Sequence, residues 1–256
     1  MSQYKVNSHE ENKKFVPTES FQQTHQMLES LKNNKGHFVI IIGTPGTGKS
    51  TNIYRSLSIL DLNFYDAFLF LNGADVSNSE VLQVFWNTLK NDMGTESQDE
   101  IYQTASEYDL VLFADHFSDS QHINKDKVGI GLWTENRGFS TFPFYFRILW
   151  EYLNRRKELK NVNIVTQAAW ILNINGKRYD ILTDLSFLSR ILVFVLKQLF
   201  DVVRISYSKE EIIKIVQIHF PSLNEEKILY YLDKCGPKPR FILECISNDE
   251  KGMGNL

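Results

Sequence analysis

The sequence is poor in the features that mark secreted and membrane-spanning proteins. Its 256 residues contain only two cysteines, Cys235 and Cys245, which form no disulfide framework and have no metal-ligand spacing. No apolar run approaches the ~20 residues that span a bilayer. The polar start, residues 1–16, lacks the apolar core of a signal peptide. We therefore expect reduced thiols, a cytoplasmic location and no membrane insertion.

An excess of basic charge is also missing. The net charge is −3, so the chain has no dominant positive field for nucleic acid, although a basic stretch at 154–160 keeps a local patch open. The six histidines are scattered and have no metal-ligand spacing. DNA as a partner is therefore left open but is not indicated by charge.

What the sequence does contain is an alternation of short apolar runs and helical patterns. Runs typical of strands buried on both faces of a parallel sheet lie at 37–43, 66–73, 108–115, 161–170 and 200–207. Helical patterns lie at 17–31, 49–60, 77–90 and 142–159. The alternation predicts an α/β protein with a doubly wound parallel sheet. The apolar run 191–196 is expected to be a buried helix or strand.

After residue 207 the pattern becomes purely helical. Helix starts at Ser208 and Asn224 are each followed by helical periodicity, and a third helix is expected from the segment "PKPRFILECI". We therefore expect four regions in the chain. They are a flexible N-terminus at 1–16, a core at 17–207, a small helical domain at 208–247 and a polar tail at 248–256.

The segment "GTPGTGKST" carries the strongest motif. It matches G-x-x-x-x-G-K-[ST] and consists of Gly43, Thr44, Pro45, Gly46, Thr47, Gly48, Lys49, Ser50 and Thr51. Its glycines let backbone N–H groups approach phosphate oxygens, and the following helix directs its positive dipole end at them. Lys49 can reach the β- and γ-phosphates, and the Ser50 hydroxyl can bind Mg²⁺. No guanine-reading N/T-K-x-D motif is present, which favours ATP.

The order of the motifs after this loop resembles that of an AAA+ ATPase. The chain is most similar to the branch of replication-initiator and origin-recognition ATPases and the related signalling ATPases called STAND, over about residues 15–247. The resemblance implies that the P-loop core is followed by a helical lid. It also implies ATP and Mg²⁺ as cofactors.

The resemblance assigns roles to residues that follow the predicted strands. Asn72 ends the second strand, at a position where relatives often carry an asparagine that orients the catalytic glutamate. Asp115 ends the third strand and matches the Walker B aspartate that holds Mg²⁺. Thr166 and Gln167 occupy the place of sensor 1, a polar residue aimed at the γ-phosphate. Arg240, in "GPKPRFILE", resembles sensor 2 of the lid.

The chain departs from the family pattern at two places. His116 stands where the catalytic glutamate usually does. A neutral imidazole can accept a proton, so His116 is retained as a catalytic candidate, with Asp119 as a nearby substitute. For an arginine finger, Arg190 is the best candidate, against the alternative of a helix-surface arginine.

These residues favour a slow Mg²⁺-dependent ATPase that couples its nucleotide state to the position of the lid. Two alternatives stay open: a nucleotide switch or partner-binding module in which binding rather than turnover sets the state, and a DNA-associated initiator or loader. The segment 116–141 is expected to be a loop or insertion available to a protein partner. Assembly into a homo-oligomer is left open.

Overall fold

The computed structural model describes residues 14–66, 78–113, 142–174 and 177–253. Among the described residues, helices separate most of the strands, and three consecutive helices follow the last strand. The strands are β1 (Phe38–Ile42), β2 (Phe64–Asp66), β3 (Val111–Phe113), β4 (Asn163–Ala168), β5 (Ile171–Ile174), β6 (Lys177–Asp180) and β7 (Asp201–Arg204). The helices are α1 (Glu19–Ser30), α2 (Lys49–Ile59), α3 (Asn78–Met93), α4 (Gln98–Glu107), α5 (Phe142–Asn154), α6 (Ser186–Lys197), α7 (Lys209–His219), α8 (Glu225–Cys235) and α9 (Pro239–Met253).

Five strands form one parallel sheet in the order β2-β3-β4-β1-β7. β1 lies inside this sheet, with Ile41 opposite Gln167 of β4 and Val203 of β7. The carboxyl ends of parallel strands meet at one edge of a sheet, and ligands of open α/β proteins bind outside that edge. The predicted α/β class with a parallel sheet is confirmed. The antiparallel hairpin β5–β6 was not predicted.

Both faces of β1 are covered, which explains its continuous apolar sequence. All five of its residues are buried, and successive side chains point to opposite faces. Val39 and Ile41 pack with residues of α1 and α2, whereas Ile40 and Ile42 pack with residues of α4 and α5. Full burial of one such side chain stabilises the fold by about 1.5–3 kcal/mol. The end of β1, where the phosphate-loop motif begins, is therefore held firmly by packing.

A buried amide joins the start of β4 to the segment before β1. Asn163 is 3% exposed. Its Nδ2 donates to the carbonyl oxygens of Leu31 at 3.1 Å and Asn34 at 2.9 Å, and its Oδ1 accepts from the His37 backbone N–H at 3.1 Å. These bonds satisfy the side chain, as burial of a polar group requires. Asn163 thereby aligns β4 with β1 at the end of the sheet opposite the phosphate-loop motif.

Polar caps begin two helices where the sequence predicts them. The Thr18 hydroxyl accepts from the Phe21 backbone N–H at 3.2 Å at the start of α1. Ser208 and Glu211 form a reciprocal capping box at the start of α7. Such a cap contributes about 0.5–2 kcal/mol to helix stability. The predicted helix starts at these positions are confirmed.

Helices α7 to α9 enclose an apolar cluster of their own. Its buried members are Ile212, Val216, Ile228, Tyr231, Ile242 and Ile246. The segment that leads into α7 is tied to α1, because the Ser20 hydroxyl donates to the Ser206 carbonyl at 2.5 Å and accepts from the Ser206 N–H at 2.9 Å. Helix α9 continues to Met253, so residues 248–253 of the expected tail are helical.

The apolar run at 191–196 forms part of α6 and is not fully buried, contrary to expectation. Leu192, Val193 and Leu196 pack against the sheet, whereas Ile191 and Phe194 on the other side of the helix are 43% and 66% exposed. A continuous apolar run alone does not reveal which of its faces the sheet can cover. Within the described ranges, no helix is long and apolar enough to cross a membrane.

Candidate functional site

The phosphate-loop motif joins the end of β1 to the start of α2. Two of its glycines have left-handed backbone angles, with φ of 84° at Gly46 and 76° at Gly48. A Cβ atom added at Gly46 would lie 3.0 Å from the Phe241 ring. The fold therefore requires glycine here both for conformation and for space.

Lys49 is the first residue of α2, and its side chain returns over the loop. The residue is 9% exposed, and Nζ donates to the Gly43 carbonyl at 2.7 Å and the Thr44 carbonyl at 3.4 Å. An ammonium group consequently lies beside the loop backbone. The first backbone N–H groups of α2 have no acceptor within the helix, as at any helix N-terminus, and add positive potential there.

Thr47 stabilises the bend of the loop through three of its polar groups. Its backbone N–H and hydroxyl both donate to the Thr44 carbonyl, at 3.3 Å and 2.7 Å. Its own carbonyl accepts from the Tyr207 hydroxyl at 2.5 Å. Gly43 fits closely against this bend, since an added Cβ there would lie 2.9 Å from Thr47 Oγ1.

Ser50 and Gln167, predicted as separate site residues, are brought together. Gln167 Nε2 lies 3.3 Å from Ser50 Oγ. Gln167 shares the α2 side of the sheet with Val165, because alternate residues of a strand point to the same face. Thr166 therefore points to the opposite face, so only Gln167 of this pair faces α2.

Arg240 reaches the loop through its backbone. Its N–H donates to the Gly46 carbonyl at 3.2 Å, while the residue as a whole is exposed. The neighbouring Phe241 ring lies against Gly46. The start of α9 thus contacts the loop directly, which places Arg240 beside it. Arg190, the candidate arginine finger, is an exposed residue of α6.

The polar candidates at and just after the ends of the second and third predicted strands lie outside the described residues. These are Asn72, Asp115, His116 and Asp119, together with the segment 116–141. β3 is described up to Phe113, which pairs with Val165 of β4. Among the described residues, no group of three or more His, Cys, Asp or Glu side chains could hold a metal ion.

A cleft of about 410 Å³ lies between the start of α7 and the end of α8. Its lining residues are Tyr207, Ser208, Lys209, Ile212, Leu232, Asp233 and Pro237. Tyr207 also bonds the loop, so the cleft and the loop adjoin at this residue. Burial raises the pKa of Tyr207 to about 12. The sequence patterns did not single out Tyr207, because it is simply the last residue of the apolar run 200–207.

The fold and the loop together define an α/β protein with a P-loop motif after an inner strand of its parallel sheet. No protein-family model matches the sequence, and no curated protein matches it. Solved structures that are similar over most of this chain include the following two. Drosophila ORC bound to DNA shares 12% identity at a TM-score of 0.42, covering 95% of this chain and 62% of that one.

The second is a STAND protein with a tetratricopeptide repeat sensor from Pyrococcus horikoshii. It shares 14% identity at a TM-score of 0.39, covering 88% of this chain and 28% of that one. This chain therefore spans less than two thirds of either structure.

Proposed function

We propose that this protein binds ATP with Mg²⁺ at residues 43–51 and hydrolyses it slowly, with α7 to α9 acting as a lid. The observation that carries the proposal is the geometry of the loop. Left-handed glycines at 46 and 48 lead into the N-terminus of α2, and the Lys49 ammonium lies over the same backbone. This arrangement concentrates N–H donors and positive charge where phosphate oxygens would bind.

The cleft beside the loop supports an organic group attached to those phosphates. Ile212, Leu232 and Pro237 provide apolar lining, whereas Ser208, Lys209 and Asp233 provide polar and charged groups. A concave site that combines apolar lining with a few polar groups is typical of small-molecule recognition. The base of the nucleotide would lie in this cleft while the phosphates occupy the loop.

The hydroxyl group of Ser50 would suit a magnesium ion beside the phosphates. Ser50 presents a hydroxyl oxygen at the start of α2, and hydroxyl and carboxylate oxygens are the protein ligands that Mg²⁺ accepts beside phosphates. Ser50 and Asp115 would hold the ion, which would neutralise charge on the phosphates. Gln167 would orient groups near Ser50, a role supported by the contact between their side chains. His116 would serve as the base that accepts a proton from the attacking water.

Lid movement is supported by the contacts between the terminal helices and the loop. The Arg240 N–H bonds the Gly46 carbonyl, and the Phe241 ring lies against Gly46. A change in loop conformation on phosphate binding would therefore alter the contacts that hold the start of α9. Arg240 would add positive charge near the γ-phosphate when the lid closes. The same contacts favour the second candidate function, a nucleotide switch in which binding alone sets the lid position.

The substitution Lys49→Ala tests the proposal in a titration with a fluorescent ATP analogue. Loss of a charged hydrogen-bond donor should weaken binding by roughly 10- to 150-fold. Lys35→Ala is the matched control, because Lys35 makes an ion pair with Asp109 at 2.5 Å on the partly exposed surface. Equal affinity of the Lys49→Ala variant and the wild type would contradict the proposal.

A further inference from the structure

Tyr207 packs against two apolar clusters at once. Its ring contacts the sheet cluster that includes Ile53 and Ile205, and it also contacts the cluster enclosed by α7 to α9. Tyr207 stands between β7 and the Ser208 cap of α7. A shift of α7 relative to the sheet would therefore disturb the packing of this ring.

The hydroxyl of the same side chain bonds the phosphate loop. Tyr207 Oη donates to the Thr47 carbonyl at 2.5 Å, and a tyrosine phenol carries its proton at neutral pH. Gly48 is also close to this hydroxyl, since a Cβ added at Gly48 would lie 3.4 Å from Oη. The hydroxyl therefore approaches the loop at the peptide unit between Thr47 and Gly48.

The hydrogen bond to the Thr47 carbonyl also fixes the direction of the Gly48 N–H, which belongs to the same peptide unit. A trans peptide is planar, and its C=O and N–H point in opposite directions. Holding the Thr47 carbonyl toward Tyr207 consequently directs the Gly48 N–H away from Tyr207. Backbone N–H groups of such a loop are the donors that hold phosphate oxygens. One side-chain bond thus sets the direction of one phosphate donor.

A second hydrogen bond, from the start of α9, holds the carbonyl of the preceding loop residue. The Arg240 N–H donates to the Gly46 carbonyl at 3.2 Å. Two consecutive loop carbonyls are therefore bonded by residues that flank α7 and α8, one before α7 and one at the start of α9. Loop conformation and helix position are linked through both.

We propose that Tyr207 is a positioning residue that orients the Thr47–Gly48 peptide for phosphate binding and transmits loop occupancy to α7–α9. This inference rests on the proposed nucleotide site. Because coupling between two sites is reciprocal, Tyr207 both prepares the loop for the ligand and lets the bound ligand order the helices. Its hydroxyl acts on the loop and its ring acts on the helices.

Tyr207→Phe separates the two actions, because it removes the hydroxyl and keeps the ring. Tyr54→Phe is the matched control: Tyr54 packs on the same sheet cluster, and its hydroxyl bonds Asp66. Titration with a fluorescent ATP analogue should show roughly 2- to 10-fold weaker binding for Tyr207→Phe, the loss expected for one hydrogen bond. The Tyr54→Phe variant should bind like the wild type.

Hydrogen exchange provides a readout that a purely structural role would not change. At saturating ATP analogue, exchange across residues 209–253 should slow in the wild type and in Tyr54→Phe, but much less in Tyr207→Phe. Unchanged affinity together with full protection in Tyr207→Phe would overturn the inference while leaving the nucleotide site intact.

The nucleotide-free protein keeps the two proposals distinguishable. Without ligand, Tyr207→Phe should speed amide exchange at residues 46–49, whereas Tyr54→Phe should not. Absence of any ATP binding by the wild type would remove the proposed function and the coupling to it. Equal loop exchange in both variants would refute the orienting role of Tyr207 by itself.

Discussion

Ser50 and Gln167 are in contact although 117 positions separate them in the chain, with Gln167 Nε2 3.3 Å from Ser50 Oγ. Ser50 belongs to the first turn of α2, which follows β1 and the loop, and Gln167 lies near the end of β4. The parallel pairing of β1 with β4 sets Gln167 opposite Ile41. The contact therefore results from sheet order, and it gathers two candidate site residues at the carboxyl edge of the sheet.

Gln167→Ala should lower phosphate release by roughly 10-fold, since one hydrogen bond to a reacting group is lost, and should leave ATP-analogue affinity within about 2-fold. Thr166→Val is the control, because Thr166 points to the opposite face of the sheet. Comparison of kcat with the dissociation constant separates the two effects. A Gln167→Ala variant that turns over at the wild-type rate would exclude an orienting role.

His116→Glu should raise the rate of phosphate release, because a carboxylate then occupies the place of the usual base. Lys49→Ala sets the background of the assay. Wild-type turnover above this background would support slow hydrolysis by His116. Wild-type turnover equal to the background, together with a gain in His116→Glu, would favour the nucleotide switch instead.

Gly46→Ala should weaken nucleotide binding and lower the melting temperature. The φ of 84° strains any side chain at this position, by about 1–2 kcal/mol, and the added Cβ would approach the Phe241 ring. Gly94→Ala is a matched control, because Gly94 has φ of 66° and no atom within 4 Å of an added Cβ. Thermal melts and titrations should show a larger loss of melting temperature and of nucleotide affinity for Gly46→Ala than for Gly94→Ala. Equal losses in the two variants would contradict a role of Gly46 in positioning α9.

Cys235 should react slowly with iodoacetamide in the native protein. Burial and the contact with Cys245, whose Sγ lies 2.9 Å away, raise the pKa of Cys235 to about 12. At pH 8 a much smaller fraction of Cys235 should therefore be thiolate than of an ordinary cysteine. Peptide mass spectrometry should show fast labelling of Cys235 only in urea. Equal labelling rates in native and unfolded protein would contradict this expectation.

The raised pKa of Cys235 also makes the folded protein less stable as the pH rises above the ordinary cysteine pKa. As the pH rises, the thiol ionises in the unfolded chain before it ionises in the folded protein. The stabilisation of the fold by the protonated Cys235 is therefore complete below the ordinary cysteine pKa of about 8.5. It is lost progressively as the pH approaches 12, the folded value. Urea midpoints should therefore fall from pH 8 to pH 11, and less so in Cys235→Ala.

Local patterns were sufficient for much of the architecture. The strand–loop–helix unit from β1 to α2, the caps at Thr18 and Ser208, and the three terminal helices each depend on neighbouring residues, so sequence periodicity and turn chemistry predict them. Helix α4 and the β5–β6 hairpin were not predicted, because their apolar patterns are short or mixed. The burial of α6 was overestimated, because apolar character does not say which face of a helix meets the sheet.

The sequence by itself determined the phosphate-loop motif and the α/β class, since both follow from residue types at fixed spacing. Only the tertiary structure decided that Gln167 rather than Thr166 faces Ser50, that Arg240 approaches the loop through its backbone, and that Tyr207 bonds the Thr47 carbonyl. These relationships join residues far apart in the chain. They depend on strand order, on the alternation of side chains across the sheet and on how the terminal helices pack, none of which a local pattern specifies.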